Sequence, residues 1–411
     1  LPLDAARGKS VCPAPAATVS LVAGESIRSA KSCMIRGNVS RRSTRHWVDA
    51  LLLGSPLVAQ FWSRYGGRTK KAWCLALHRL GLLTPSSFVL WICTRRCNFS
   101  CAFCEARAGA AAPDELTTEE AKALIDDIAG IGARRLLISG GEPLLRADLP
   151  VLLEHSLKRS VTPALLSNGS LVSSRWEEIR HFRYFLFMTS IDGPRGIHDR
   201  LRRAGSFDRA MAALENFASI GVRTRVVKTI VHPANLASLP ELAECLESSA
   251  ATDWQLAPVI EVGRARNQSA YQLSGQDWQR LIDFVEGQGG RNGLNVELAH
   301  PCAHVHALTG RLGPRPVFCG AGLTRCAVMP NGDVLACGQA YDLVAPEGNI
   351  RRTPLRQIWR NVFNQHRRFA QPPECCGCRH WRACQGACWA QRQTGGECLK
   401  AVLPVNSKTG E

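Results

Sequence analysis

From residue 88 onward, short continuous apolar runs alternate with stretches in which apolar residues recur every three or four positions. The runs FVLWIC (88–93), RRLLISG (134–140), TPALLSNG (162–169), YFLFMTSIDG (184–193), RTRVVKTIV (223–231) and TDWQLAPVI (252–260) predict buried strands. Helical patterns lie between them. TTEEAKALIDDIAGI (117–131) opens with a Thr-x-x-Glu capping box, and a last helix is expected at 275–288. Six strand–helix units predict an α/β fold, a parallel sheet with outer helices curled into a partial (β/α)6 TIM-like barrel over residues 87–300. Upstream, residues 1–40 read as loop, while WVDALLLGSPLVAQFW and KAWCLALHRLGLL show helical spacing. Residues 1–86 are therefore an N-terminal, partly helical extension. After about residue 300 the strand–helix rhythm stops and Pro, Gly and Cys rise, so 301–411 is expected to be a separate cysteine-rich domain.

No apolar run reaches membrane-spanning length, which argues against a membrane partner. The first residues lack the basic-then-apolar order of a signal peptide, so a cytoplasmic location is expected. The net charge of +17 is uneven: residues 1–86 hold thirteen Lys/Arg against three Asp/Glu. Such an arm suits an acidic peptide or serves simply as a solvated extension. A nucleic-acid partner is disfavoured, because aromatics are not interleaved with the basic residues. In a chain of this length, eighteen cysteines at short clustered spacings indicate metal or cluster ligation more than disulfides.

Cys97, Cys101 and Cys104 follow C-x3-C-x2-C in the loop after the first strand. Three close thiolates suit three irons of a cubane cluster and leave the fourth open, whereas structural zinc prefers four closed ligands. Cys93 falls outside this register and reads as a small apolar residue that ends the strand. Other polar motifs sit at later strand ends, where ligands bind in β/α architectures: GGEP (140–143), SNG (167–169) and SIDG (190–193). A second set of cysteines follows. Cys319 precedes Gly332 and Cys337, and Cys375, Cys378, Cys384 and Cys388 give C-x2-C-x5-C-x3-C before Cys398.

The first spacing, with Phe103 just before its last cysteine, resembles the radical S-adenosylmethionine (SAM) enzymes. The C-terminal series resembles the SPASM extension, and together the likeness covers about residues 88–400. It implies a [4Fe–4S] cluster on Cys97, Cys101 and Cys104, with SAM at Gly140, Gly141, Glu142 and Pro143, the turn that receives the methionyl amino group. Ser167, Asn168, Ser190, Asp192 and Phe103 would also contact SAM, although the SNG and SIDG ends equally suit ordinary turns. Arg202 in IHDRLR would pair with the SAM carboxylate, and His198 reads as structural. Two auxiliary [4Fe–4S] clusters are implied, one on Cys319, Cys326, Cys337 and Cys388, the other on Cys375, Cys378, Cys384 and Cys398. The eighth ligand is Cys326, Cys302 or an open site. The sulfatase-maturing branch carries an aspartate where this chain has Gly338, followed by Gln339, Tyr341 and Asp342; that branch is disfavoured.

The resemblance implies cleavage of SAM to a 5′-deoxyadenosyl radical, with electrons from a flavodoxin- or ferredoxin-type donor. The expected activity is oxidative modification of a peptide or small protein: a crosslink, a thioether or a dehydrogenation. The alternative is a small cofactor precursor such as a tetrapyrrole, since CTRRCN, LTTEEAKALIDDI and SGGEPLLRADL also resemble the haem-pathway branch. A non-catalytic iron–sulfur protein would be expected to show a damaged cofactor pocket.

Overall fold

The computed structural model describes residues 72–76, 88–288, 293–299, 319–363, 371–384 and 388–394, together with 305, 367, 386, 398, 401 and 403. Most of the basic extension and Cys302 lie outside these residues; within it, 72–76 are helical.

Each of the six apolar runs forms a strand slightly shorter than its hydrophobic stretch, because its polar end turns over the rim. They are β1 (Phe88–Ile92), β2 (Arg135–Ser139), β3 (Thr162–Leu166), β4 (Leu186–Ser190), β5 (Arg225–Val231) and β6 (Asp253–Pro258). All pair in parallel and in sequence order. Strand side chains alternate between two faces. Val89, Trp91, Leu136, Ile138, Phe187, Val227, Trp254 and Leu256 lie in one continuous core with apolar residues of the covering helices. Those helices include α1 (Thr118–Gly130), α2 (Leu149–Lys158), α3 (Arg195–Leu201), α4 (Ser206–Ser219), α5 (Leu239–Glu247) and α6 (Gly275–Gly287). The opposite face is the inside of the open barrel. At its rim a smaller cluster joins Phe103 to Ile230, Ala257, Val259, Ala265 and Ala299.

The sheet does not stop at six strands. β7 (Asn295–Leu298) adds a parallel strand beyond β6. On the other side β8 (Arg325–Val328) lies parallel to β1, followed by antiparallel β9 (Asp333–Leu335) and β10 (Gly348–Asn349). The result is one open ten-stranded sheet that continues across the boundary expected near residue 300. These added strands are two to four residues long, too short for an alternating pattern to emerge.

The C-terminal part is also tied to α1. The Thr117 hydroxyl accepts the Glu120 N–H at 3.3 Å, and the Glu120 carboxylate accepts the Thr117 N–H at 2.9 Å. The same carboxylate receives Arg351 Nε and Nη2 at 2.6 and 3.0 Å, while Arg351 Nη1 reaches the Asp114 carbonyl. The Arg351 guanidinium and the capping N–H hold the Glu120 carboxyl down to about 2. Replacing Thr117 by Ala should cost about 1 kcal/mol of unfolding free energy in urea titrations. An unchanged midpoint would show that Arg351 alone secures this helix start.

Candidate functional site

The loop after β1 is built around its three motif cysteines. Cys93 ends the strand as expected: it is fully buried, and its N–H donates to the Ser139 carbonyl at 2.7 Å. The loop then folds back on itself, Cys97 N–H to Gly109 O at 2.9 Å and Gly109 N–H to Arg95 O at 2.8 Å. Arg264, after β6, clamps it from the side. Its guanidinium donates to the carbonyls of Cys101 (2.9 Å) and Ala108, and its N–H to Cys104 O (3.0 Å). Gly263 makes this approach possible, since at φ +57° a Cβ would strike the carbonyls of Cys104 and Glu105. Nothing in the local sequence marks Arg264, because its partners lie far upstream.

Cys97, Cys101 and Cys104 are each partly exposed. Burial pushes the Cys97 thiol up to about 11, opposed by the Phe99 N–H, which points at its sulfur at 3.4 Å. Burial likewise raises Cys101, opposed by Arg202, whose Nη1 stands 3.9 Å from Cys101 Sγ. Cys101 and Cys104 both act on Cys97, so the three thiols share one field. Among the described residues, no three His, Cys, Asp or Glu side chains converge on a single-ion site. A purely sulfur donor set with N–H and guanidinium groups aimed at it fits a thiolate-bound iron–sulfur cluster.

The GGEP turn packs directly beneath this loop. Gly141 N–H donates to Thr94 O and Glu142 N–H to Arg96 O, both at 2.8 Å. A Cβ on Gly140 would lie 2.6 Å from the Thr94 carbonyl, and one on Gly141 closer still to Arg96. Glu142 is fully buried and acts as a brace: it accepts Ser167 Oγ at 2.8 Å, Asn168 N–H at 2.8 Å and Leu144 N–H at 3.1 Å. Burial raises its carboxyl to about 7 against the pull of these donors. Asn168 continues the network, donating from Nδ2 to Asn98 Oδ1 in the cysteine loop at 2.9 Å. Pro143 opens a short helical turn over Pro143–Leu145.

Across the rim, Asp192 and Arg202 form a buried ion pair with Nε–Oδ2 at 2.5 Å. Asp192 also accepts the Ile230 N–H at 2.9 Å, and its own N–H donates to His198 Nδ1 at 3.1 Å. Burial would raise the Asp192 carboxyl, but Arg202 and these contacts hold it below its ordinary value. Burial drives His198 down to about 4, so its neutral ring is the acceptor its structural reading requires. Arg202 Nε is engaged by Asp192, and the guanidinium lies over the Phe103 ring at 5.6 Å. Ser190 ends β4 on the inner face, beside Lys228 of β5.

The C-terminal cysteines separate into groups. Cys319 and Cys337 both act on Cys388, whose thiol burial pushes up to about 12. Cys398 and Cys378 act on Cys375, which burial also raises. Cys384 is buried on the short helix Trp381–Cys384, and Cys376 is disulfide-bonded. Cys326 pairs with Val89 inside β8 and lies in the helix-covered core, against which Cys319 and Cys337 also pack; Arg325, its neighbour on the strand, acts on Cys337. Gln339, Tyr341 and Asp342 all meet the first cysteine loop. Gln339 Nε2 lies 3.3 Å from Glu105, Tyr341 OH 3.3 Å from Arg95 Nη1, and Asp342 3.4 Å from Arg107 Nε.

Two outcomes follow from this geometry. Cys326→Ala should leave the iron content of the reconstituted chain unchanged and lower its stability by about 1–3 kcal/mol through a core cavity. Cys388→Ala should lose iron; equal losses in both variants would return Cys326 to the ligand set. Glu142, with its folded value raised from 4.5 to about 7, binds its proton more tightly in the native state. Its stabilising share is complete below pH 4.5 and is lost as pH rises through about 7. In Glu142→Gln, the fall in the urea midpoint between pH 5 and 7.5 should flatten relative to the wild type. Parallel profiles would refute a raised carboxyl.

The radical SAM superfamily model matches residues 91–246, and the iron–sulfur cluster-binding SPASM model matches residues 319–379. An AdoMet-dependent heme synthase of Oleidesulfovibrio alaskensis is 28% identical over 322 residues, covering 72% of this chain and 81% of that protein. The mycofactocin maturase MftC of Mycobacterium tuberculosis is 28% identical over 310 residues, covering 74% and 78%. The fold resembles that of Streptococcus suis SuiB bound to S-adenosylmethionine, with a TM-score of 0.64 at 18% identity over 89% of this chain and 83% of that one. Among the described residues no helix is long and apolar enough to cross a membrane. The matched domains, in this order and around these cysteines, make the chain a member of the radical SAM superfamily with a SPASM iron–sulfur cluster-binding domain.

Proposed function

We propose that this enzyme oxidatively modifies a peptide or small protein, forming a crosslink, a thioether or a dehydrogenated residue. The observation that carries the reading is the half-buried three-thiol loop at the carboxyl end of β1, joined through residues 339–342 to a second set of cysteines. Cys97, Cys101 and Cys104 would hold the first [4Fe–4S] cluster. Cys319, Cys337 and Cys388 would hold one auxiliary cluster, its fourth position filled by Cys302 or left to the substrate. Cys375, Cys378, Cys384 and Cys398 would hold the other. When bound, the first cluster and SAM supply one electron and a 5′-deoxyadenosyl radical.

The protein's own part is placement. The backbone of Gly140 and Gly141 offers a close approach for the methionyl amino group. Glu142 and Pro143 fix that turn, with Ser167 and Asn168 held against it. Arg202, oriented by Asp192, keeps a positive charge beside Cys101 where a carboxylate would be received. Phe103 supplies an apolar wall that excludes water, and Ser190 lies on the inner face below. A flavodoxin- or ferredoxin-type protein would donate the electron.

Similarity to a mycofactocin maturase, together with the thirteen basic residues of the extension, favours a peptide substrate. Similarity to a heme synthase supports the second reading, a tetrapyrrole-like small molecule. Anaerobically reconstituted chain should hold roughly twelve irons in three cubane clusters and release 5′-deoxyadenosine when given reductant and SAM. A fully loaded chain that releases none would sink the enzyme reading, and roughly four irons would remove the auxiliary clusters. Enhanced release with an acidic leader peptide, and not with a porphyrin, would separate the two substrates.

A further inference from the structure

His232 stands directly after β5 and is 1% exposed. Its backbone is satisfied, the N–H donating to Asn235 Oδ1 at 2.9 Å. Its ring is not: among the described residues, neither Nδ1 nor Nε2 has a hydrogen-bond partner. Buried polar atoms are almost always paired, so a ring with two unpaired nitrogens needs a reason. His198 nearby is half satisfied, with Nδ1 engaged by the Asp192 N–H and Nε2 unpaired, whereas His232 has both nitrogens unpaired.

The surroundings supply the reason. The His232 ring lies 5.5 Å from Phe103 and 5.5 Å from Tyr271, centre to centre, and those two rings stand 6.1 Å apart. Phe103 is the residue before Cys104 and carries the Arg202 guanidinium over its ring. His232 therefore belongs to the rim beside the first cysteine loop, in an aromatic cluster that reaches Arg202 through Phe103 and feels the Asp192 charge. We propose that His232 is a nucleoside-contacting residue whose imidazole hydrogen-bonds the adenosyl part of bound SAM, with Phe103 and Tyr271 as aromatic walls. This rests on the cofactor reading above and assigns a residue that none of the sequence motifs includes.

The charged methionyl end of SAM needs charged groups and backbone dipoles, which Arg202 and the glycine turn provide. The adenosyl end is flat, uncharged and polar at its edges. Burial lowers the His232 pKa, so the ring is neutral near pH 7 and offers one N–H donor and one acceptor. A neutral donor–acceptor ring among aromatics complements a nucleoside better than it complements an anion.

The test uses the full chain, anaerobically reconstituted, with binding of SAM and of S-adenosylhomocysteine followed by equilibrium dialysis and melting followed by calorimetry. His232→Phe keeps the ring packing and removes the unpaired nitrogens. It should melt at the same temperature or higher, yet bind both ligands about tenfold more weakly, with affinity for methionine alone unchanged. His232→Gln, which keeps a donor and an acceptor, should recover part of the loss. If His232→Phe does not fold, His232→Leu against His232→Gln gives the same comparison. Unchanged affinity in the apolar variant, or a lower melting temperature without loss of affinity, makes His232 a packing residue and overturns the proposal. A wild-type chain that binds neither ligand overturns the cofactor reading and this inference with it.

Discussion

Two backbone hydrogen bonds, Gly141 N–H to Thr94 O and Glu142 N–H to Arg96 O, hold the cysteine loop against the end of the neighbouring strand. The rest of the rim is arranged around that approach. It requires two residues without a Cβ, and it buries the carboxylate that follows them. The buried Glu142 must then find donors, which it takes from Ser167 and Asn168 at the end of β3. Asn168 in turn reaches back to Asn98 in the loop. A chain of polar satisfaction thus runs from β1 through β2 and β3 and returns, so no one strand end can shift alone.

A second constraint acts from the C-terminal side. The SPASM region shares its sheet with the barrel through β8 and touches the cysteine loop through Gln339, Tyr341 and Asp342. Cys337 lies two residues before Gln339, and Cys104 lies one residue before Glu105. The loops expected to carry the two kinds of cluster are therefore linked by one side-chain contact and very short lengths of chain. Gln339, Tyr341 and Asp342, which follow Gly338, are thereby occupied in holding the loop.

Much of this was legible in the sequence. The six parallel strands and α1 with its cap follow from apolar periodicity, because the sheet is buried on its helix side and each strand is one continuous run. The Cys97, Cys101 and Cys104 loop and the buried Cys93 were readable from spacing alone. β7 to β10 were not, since short strands recruited to an existing edge carry little pattern of their own. The place of Cys326 inside a core strand was not legible either, because counting thiols says nothing of which face of a strand they occupy. Arg264 and His232 were invisible for a different reason: the residues they touch are distant in sequence and are brought near only by the curl of the sheet.

The position of β8 beside β1 has a consequence for biosynthesis. β1 is the first barrel strand to be made, yet one of its two neighbours, β8, lies more than 230 residues further along the chain. Until that segment arrives, β1 presents an open parallel edge, the kind of surface that invites wrong pairing. The contact is among the most non-local in the molecule, and such contacts form late and slowly. The cysteine loop hangs from that same strand, so its final geometry waits on the arrival of β8. The strand that carries the first cysteine loop thus gains its second neighbour only once β8 has been made.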